Sequence, residues 1–186
     1  MLTPRWILLL VLLPGLAYAG ALKLVKDEHW TRQYDRHFRK YTKHYFGPHI
    51  DWHWFKAQGI AESGLQPNAK SPAGAKGIMQ ILPATYDEIQ QDNPHFTRID
   101  EPRWNIAAGI YYDRKLYRKW KGGLPTEQRL AFALASYNAG YTKVLRAYKR
   151  AREKHGEVKS WRQVEYFAPG ETRHYVRRIM ALMEDE

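Results

Sequence analysis

Apolar residues recur every three or four positions along most of the chain, which is the spacing of one face of an α-helix. The pattern predicts helices over 50–63, 83–91, 105–120, 127–138, 143–154 and 172–183. No stretch alternates between apolar and polar residues in the way that predicts a half-buried strand. The chain of 186 residues suits one domain. The sequence therefore predicts an all-α, single compact domain of about seven or eight helices.

Glycine, proline and hydroxyl residues stand at the predicted helix ends. Pro83 suits the first turn of a helix, and Gly64 suits the residue after a last turn. Thr126 and Thr142 precede two of the helical patterns, so we expect each to cap the helix that follows it. Ser160 and Gln163 fit the S-x-x-Q pattern of a capping box at the start of a short helical segment.

Residues 20–48 are basic and rich in aromatic side chains, which recur at intervals of three and four. The pattern predicts an amphipathic helix with a cationic outer face. We favour the interpretation that its aromatic stripe docks on the domain, and the alternative is that the segment grips an anionic polymer. The stripe consists of Trp30, Tyr34, His37, Phe38, Tyr41 and Tyr45.

The first 19 residues have the pattern of a signal peptide. Arg5 precedes the apolar run 6–16, and Ala17-Tyr18-Ala19 resembles a cleavage site. The apolar run is shorter than the roughly 20 residues that span a bilayer. We expect cleavage after Ala19 and export to the periplasm or cell wall, with no stable membrane insertion afterwards. An uncleaved anchor is the alternative.

The formal net charge of +11 favours anionic partners. The absence of cysteine excludes disulfides, cysteine metal sites and a cysteine nucleophile. The eight histidines show no metal-ligand spacing, and the chain has neither a phosphate-binding loop nor a G-x-S-x-G motif. We therefore expect no metal and no cofactor.

Glu62 is the candidate for acid–base chemistry. It falls on the last turn of the predicted helix 50–63, where the helix dipole favours cations and disfavours a carboxylate. Apolar surroundings add to that effect, and both raise the pKa of a carboxyl group. A glutamate that keeps its proton near neutral pH can protonate a leaving group.

The residues after Glu62 suit a polyhydroxylated ligand. Glycines in "GAKGIMQIL" let the backbone approach a ligand closely, and Gln80 offers an amide donor and acceptor. Ser63 and Ser71 add hydroxyl groups, and "LASYNAG" places Tyr137 and Asn138 at another predicted helix end.

Together these motifs resemble the catalytic core of the family 1 soluble lytic transglycosylases. The family carries a Glu-Ser pair, G-[LI]-M-Q, N-I-x-x-G-x-x-Y, A-Y-N-A-G and E-T-x-x-Y-V in this order. The matching segments here are Glu62-Ser63, "GIMQ" at 77–80, "NIAAGIYY" at 105–112, "SYNAG" at 136–140 and "ETRHYV" at 171–176. Ser136 replaces the usual alanine. The likeness covers residues 49–180, and it implies a transglycosylase domain over 49–186.

The resemblance implies a goose-type lysozyme-like fold with a sugar-binding cleft. It also implies cleavage of the β-1,4 bond between N-acetylmuramic acid and N-acetylglucosamine in peptidoglycan. By the same resemblance, Glu62 would act first as general acid and then as base on the C6 hydroxyl, leaving a 1,6-anhydro end. The residues implied to bind substrate are Ser71, Gln80, Tyr137, Asn138 and Tyr175, with Ser63, Gly77 and Met79 in support. The resemblance also implies that Tyr175 packs or hydrogen-bonds near Glu62, and the alternative for Tyr175 is a plain core aromatic.

Three other functions are open to such a chain. A goose-type lysozyme-like hydrolase needs a second carboxylate to position water, and the candidates by proximity are Asp51, Asp87, Glu88 and Asp92. A non-catalytic wall-binding scaffold, associated with cell-envelope machinery, is the second alternative. The third is a cationic protein that binds DNA or acts on membranes, and the export signal argues against a nucleic-acid partner.

Overall fold

The computed structural model describes residues 28–121 and 123–184, and the predicted signal peptide lies outside these ranges. Within these ranges there are seven α-helices, and two short 3-10 helices, Trp161–Gln163 and Glu165–Phe167, precede the last of them. The α-helices are α1 Asp35–Phe46, α2 His53–Ser63, α3 Pro83–Asp92, α4 Pro102–Lys119, α5 Thr126–Ala139, α6 Tyr141–His155 and α7 Gly170–Glu184. The described ranges contain two isolated β-bridges and no strand. The predicted all-α class is therefore confirmed.

The predicted helix starts lie within three residues of the observed ones. Helix α2 begins at His53, where the carboxylate of Asp51 accepts a hydrogen bond from the His53 backbone N–H at 3.0 Å. Helix α4 begins three residues earlier than predicted, because Pro102 occupies its first turn, where a proline needs no N–H partner.

Thr126 and Thr142 do not cap helices, which corrects two predictions. Thr126 is itself the first residue of α5, and the backbone N–H of Arg129 bonds to the Pro125 carbonyl. Helix α6 follows Gly140 directly, because a glycine at φ +85° can reverse the chain between α5 and α6. The capping box of Ser160 and Gln163 is confirmed, at the start of a 3-10 helix.

Helix α5 lies at the centre of the fold. All seven residues from 130 to 136 are buried, as expected for a helix that is apolar on every face. Helices α4, α6 and α7 pack around it, and α2 packs on α7. This arrangement brings the C-terminal ends of α2 and α5 into one region with α7.

Helix α1 is shorter than the helix predicted over 20–48, because residues 28–34 form turns, and residues 20–27 lie outside the described ranges. It docks on α4 through its aromatic side, as the favoured interpretation expected. Phe38 and Tyr41 are buried, and so is Tyr34, which precedes the helix. Arginine and lysine side chains on the opposite side are exposed. No helix in the described ranges has both the length and the apolar character needed to cross a bilayer.

Candidate active site

Glu62 lies on the last turn of α2, as predicted. The helix ends at Gly64, which adopts a left-handed conformation with φ +63° and donates its N–H to the Ile60 carbonyl. The Glu62 side chain is half-buried. Burial is the main cause that raises the pKa of Glu62 to about 7, and the negative charge of Glu171 raises it further. At neutral pH the carboxyl group is therefore close to half protonated.

Tyr175 on α7 holds the Glu62 carboxyl group. Its hydroxyl donates a hydrogen bond of 2.6 Å to Oε1 of Glu62. The bond stabilises the carboxylate and opposes the effect of burial on the pKa of Glu62. Tyr175 is buried, and burial raises the pKa of its own hydroxyl well above 10. The phenol consequently remains a donor throughout the pH range in which Glu62 titrates.

A tightly folded loop, residues 69–82, lies beside the end of α2. Lys76 and Ile81 exchange two backbone hydrogen bonds, of 3.0 and 3.1 Å, and the Gly77 N–H bonds to the Ala69 carbonyl. The tip of this 69–82 loop turns through two residues with positive φ, Gly77 at +73° and Gln80 at +44°. The "GIMQ" segment therefore forms a turn rather than a strand.

Asn105 on α4 anchors the 69–82 loop through hydrogen bonds to its backbone. Its side-chain oxygen accepts the Met79 N–H at 2.7 Å, and its side-chain nitrogen donates to the Lys76 carbonyl at 3.0 Å. A Cβ on Gly77 would clash with the Asn105 amide, and one on Gly109 would lie 2.8 Å from the Met79 Cβ. Both glycines are thus required for the close approach of loop and helix.

Two more side chains secure the same loop. The Ser63 hydroxyl donates to the Ile78 carbonyl at 2.8 Å and accepts the Gln66 N–H at 3.1 Å. The Tyr137 hydroxyl on α5 donates to the Met79 carbonyl at 2.8 Å. Three helices, α2, α4 and α5, therefore fix the loop against the carboxyl-bearing end of α2.

The remaining predicted binding residues lie around this region and are half-buried. The Gln80 amide nitrogen donates to the Gly77 carbonyl at 2.9 Å, and the Ser71 hydroxyl accepts the Ala75 N–H at 3.1 Å. The side-chain oxygen of Asn138 accepts a bond of 2.8 Å from the Thr172 hydroxyl on α7. Each side chain thus supports its own backbone region while keeping part of its surface accessible.

The four acidic residues proposed by proximity do not meet Glu62. Asp51 precedes α2, at the opposite end of a helix about 16 Å long. Glu88 and Asp92 form ion pairs with Lys115, at 2.7 and 2.5 Å. Asp87 is exposed on α3. None of these four carboxylates is among the groups that shift the pKa of Glu62.

Sequence reasoning missed three side chains near Glu62. Asp113 on α4 and Gln58 on α2 are fully buried and hydrogen-bonded to each other. Glu171 is exposed in the first turn of α7, and its charge acts on Glu62. Their positions in the sequence could have indicated Gln58 and Asp113. Gln58 precedes Glu62 by one helical turn, and Asp113 follows Gly109 by one turn, so each polar residue lies on the same helix face as a site residue.

Chemically, the site offers a proton donor and acceptor near neutral pH. Glu62 is close to half protonated, a buried phenol orients it, and a rigid loop forms the adjoining surface. These are the requirements for general acid–base catalysis on a bound ligand.

Comparison with known proteins identifies related chains. Residues 40–159 match the model of the transglycosylase SLT domain. The membrane-bound lytic murein transglycosylase F of Erwinia tasmaniensis is 31% identical over 161 residues, which cover 83% of this chain and 31% of that protein. The protein of that name from Yersinia pestis is also 31% identical, with the same coverage. The chain thus spans less than a third of the length of these curated relatives.

Solved structures show the same fold. The 70 kDa soluble lytic transglycosylase of Escherichia coli superposes with a TM-score of 0.63 at 26% identity, over 80% of this chain and 23% of that one. A 70 kDa soluble lytic transglycosylase in complex with bulgecin A gives a TM-score of 0.65 at 28% identity, over 81% of this chain and 23% of that chain. The predicted lysozyme-like helical fold is confirmed.

Proposed function

The chain belongs to the transglycosylase SLT family, and on that premise we propose that it is a lytic transglycosylase of peptidoglycan. The reaction breaks the β-1,4 bond between N-acetylmuramic acid and N-acetylglucosamine without water. The observation that carries the proposal is the hydrogen bond from Tyr175 to Glu62, at 2.6 Å, on a carboxyl group whose pKa is raised to about 7.

In the first step, protonated Glu62 gives its proton to the glycosidic oxygen, and the bond from that oxygen to C1 of the muramoyl sugar breaks. In the second step, ionised Glu62 takes the proton of the C6 hydroxyl, whose oxygen bonds to C1. The product is a 1,6-anhydro end, and Glu62 regains its proton. A pKa of about 7 suits both roles, since neither protonation state is costly to reach at neutral pH.

This reaction explains how one catalytic carboxylate can suffice. Glycosidases that use water commonly employ a pair of carboxyl groups. Here the nucleophile is a hydroxyl of the substrate itself, so positioning the sugar replaces the second carboxylate. We assign that positioning to Ser71 and Gln80 in the 69–82 loop and to Tyr137 and Asn138 in the last turn of α5.

We place the protein in the cell envelope, where peptidoglycan lies. The signal-peptide pattern of residues 1–19 supports export to the periplasm. The net charge of +11 favours association with a wall whose peptides carry carboxylates. Partners within cell-envelope machinery are compatible with the same location.

Mass spectrometry of peptidoglycan digested by the full chain tests the proposal. We expect products with 1,6-anhydro ends from the wild type and no products from Glu62→Gln. Glu153→Gln, an exposed glutamate on α6, is the matched control and should retain activity. Loss of activity only in the control, or unchanged activity in Glu62→Gln, would contradict the assignment of Glu62.

Hydrolysis is the second candidate, and one observation favours it. Glu171 is a carboxylate whose charge reaches Glu62, and its side chain is exposed to water. If it positions a water molecule, the digest contains reducing ends, and Glu171→Gln removes them while anhydro products persist. A digest with anhydro ends alone in both chains argues against hydrolysis.

A further inference from the structure

A pair of polar side chains is sealed behind Glu62. Gln58 lies on α2 one turn before Glu62, and Asp113 lies on the facing helix α4. Both residues are completely buried. The amide nitrogen of Gln58 donates a hydrogen bond of 3.3 Å to Oδ1 of Asp113.

Each member of this pair has an oxygen that lacks a hydrogen-bond partner within the described part of the chain. These atoms are Oε1 of Gln58 and Oδ2 of Asp113, and both are inaccessible to solvent. As an amide carbonyl and an ionised carboxylate, both can only accept, so they cannot satisfy each other. A buried polar atom without a partner destabilises the fold. With Asp113 ionised, the pair therefore lacks a hydrogen-bond donor for these two oxygens.

One proton resolves both deficits. On Oδ2 of Asp113 it creates a donor, and a carboxylic acid and a carboxamide can join side by side through two hydrogen bonds. The opposite orientation of the Gln58 amide would place its oxygen against Asp113 and would require the same proton.

We propose that Asp113 keeps its proton in the folded protein at neutral pH, paired with Gln58, and stands behind Glu62 as a neutral positioning residue. Asp113 has no access to substrate, so it acts through the helix that carries Glu62.

The surroundings of Asp113 oppose a negative charge. The titratable groups that interact with it are Glu62 on α2, Tyr137 on α5, Tyr175 on α7 and the neighbouring Tyr112 on α4. All of them are neutral or anionic. Burial is the main cause that raises the pKa of Asp113 well above its ordinary value, the charge of Glu62 adds to it, and the Gln58 bond opposes it. A buried anion here would lack the counter-charge that such groups require.

A neutral Asp113 has two consequences for the reaction, which rest on the proposed function. Glu62 has no second anion behind it, so its pKa depends on burial, Tyr175 and Glu171. Asp113 also cannot serve as the base that activates water, because it is sealed from solvent and already protonated. The retained proton itself follows from the pair and does not depend on any activity.

Unfolding at different pH values tests the proton directly. Native Asp113 holds a proton that the unfolded chain releases above about pH 4, so the folding equilibrium constant of the wild type falls as pH rises. Asp113→Asn keeps the shape and can pair with Gln58, but it has no proton to release. We expect the wild-type constant, divided by that of Asp113→Asn, to fall about tenfold per pH unit between about pH 5 and about pH 8.

Glu62 is present in both chains, so its own titration cancels in this ratio. A ratio that does not change with pH means that native Asp113 is ionised, and it overturns the proposal. The measurement needs no substrate, so its failure is distinguishable from failure of the proposed activity.

Carbon-13 NMR of the wild-type carboxyl groups provides a second test, which holds even if Asp113→Asn does not fold. The Asp113 carboxyl resonance is expected at the position of a protonated acid throughout that pH range. A resonance at the position of a carboxylate near neutral pH refutes the proposal.

The pH profile of muralytic activity tests the action on Glu62. With Asp113 neutral, Asp113→Asn leaves the alkaline limb of the profile at the same pH as in the wild type. With Asp113 ionised, removing its charge would move that limb to lower pH, because the pKa of Glu62 would fall. Such a downward move contradicts the proposal.

Gln58→Leu tests the partner. It leaves Asp113 without its amide and should reduce the folding equilibrium constant about ten- to hundredfold. Adding Asp113→Leu to that variant removes the remaining buried polar group and should restore part of the loss. If Gln58→Leu leaves stability unchanged, the paired arrangement is wrong.

Discussion

The hydroxyl of Tyr175 donates a 2.6 Å hydrogen bond to the carboxyl group of Glu62, joining residues 113 positions apart in the chain. Burial raises the pKa of Glu62, while this bond lowers it, and the balance lies at about 7. The pairing of α7 with α2 thereby sets the pH at which the candidate acid changes its protonation state.

Removing the Tyr175 hydroxyl should move the pH profile upwards. Without the donor, the carboxylate of Glu62 is less stable and its pKa rises above about 7. For Tyr175→Phe we expect the alkaline limb of muralytic activity to shift by about one pH unit to higher pH, as loss of a charged hydrogen bond implies. Tyr166→Phe, at an exposed tyrosine, is the control. An unmoved limb in Tyr175→Phe would show that the bond does not set the pKa.

Glu62→Gln should stabilise the protein at high pH. The pKa of native Glu62 is about 7, above the ordinary value of 4.5, so the native state retains a proton that the unfolded state loses. The contribution of Glu62 to wild-type stability therefore falls as pH rises from about 4.5 to about 7, and it is constant above that pH. We compare the unfolding free energy of Glu62→Gln with that of the wild type at each pH. We expect this difference, variant minus wild type, to be larger at about pH 8 than at about pH 4 by on the order of 3 kcal/mol.

Urea unfolding at a series of pH values measures this difference. Glu153→Gln, which also removes one acidic side chain but from an exposed position, controls for the change in net charge. A stability difference between Glu62→Gln and the wild type that is constant with pH contradicts the raised pKa of Glu62.

Gly77→Ala should loosen the 69–82 loop. An alanine here meets two difficulties, a φ of +73° and a clash of its Cβ with the Asn105 amide. Gly156→Ala has the same kind of backbone strain at φ +75°, with open space around the Cβ. We expect Gly77→Ala to lose about 1–3 kcal/mol more than Gly156→Ala in urea unfolding, and to lose muralytic activity as well. Equal losses in the two variants would mean that the contact with Asn105 contributes nothing.

Tyr137→Phe should weaken activity with a small effect on folding. The substitution removes the 2.8 Å hydrogen bond to the Met79 carbonyl and keeps the aromatic ring. We expect a loss of about 1 kcal/mol in unfolding free energy and a several-fold drop in muralytic rate. Thermal denaturation and turbidity assays on cell-wall suspensions measure the two quantities. A full loss of folding would show that Tyr137 is chiefly a core residue.

Several elements followed directly from the chain. The apolar spacing located the long helices, and Gly64 and Gly156 ended the helices where glycine was expected. The helix starts were less certain, because they depend on side chains outside the repeating pattern. Asp51, which accepts the His53 N–H, is an example. Thr126 and Thr142 show that a capping residue type is not sufficient, because α5 and α6 begin after Pro125 and Gly140 and both threonines lie inside the helices.

By itself, the sequence determined the all-α class, the position of Glu62 at a helix end and the motifs of the family. These are local properties, because they depend on spacing within one helix or on order along the chain. Only the tertiary structure decided that Tyr175 bonds to Glu62, that Asn105 anchors the turn at Met79, and that Asp113 meets Gln58. Those contacts join residues 26 to 113 positions apart. Their partners and protonation states depend on burial and distance, which arise only when the helices pack.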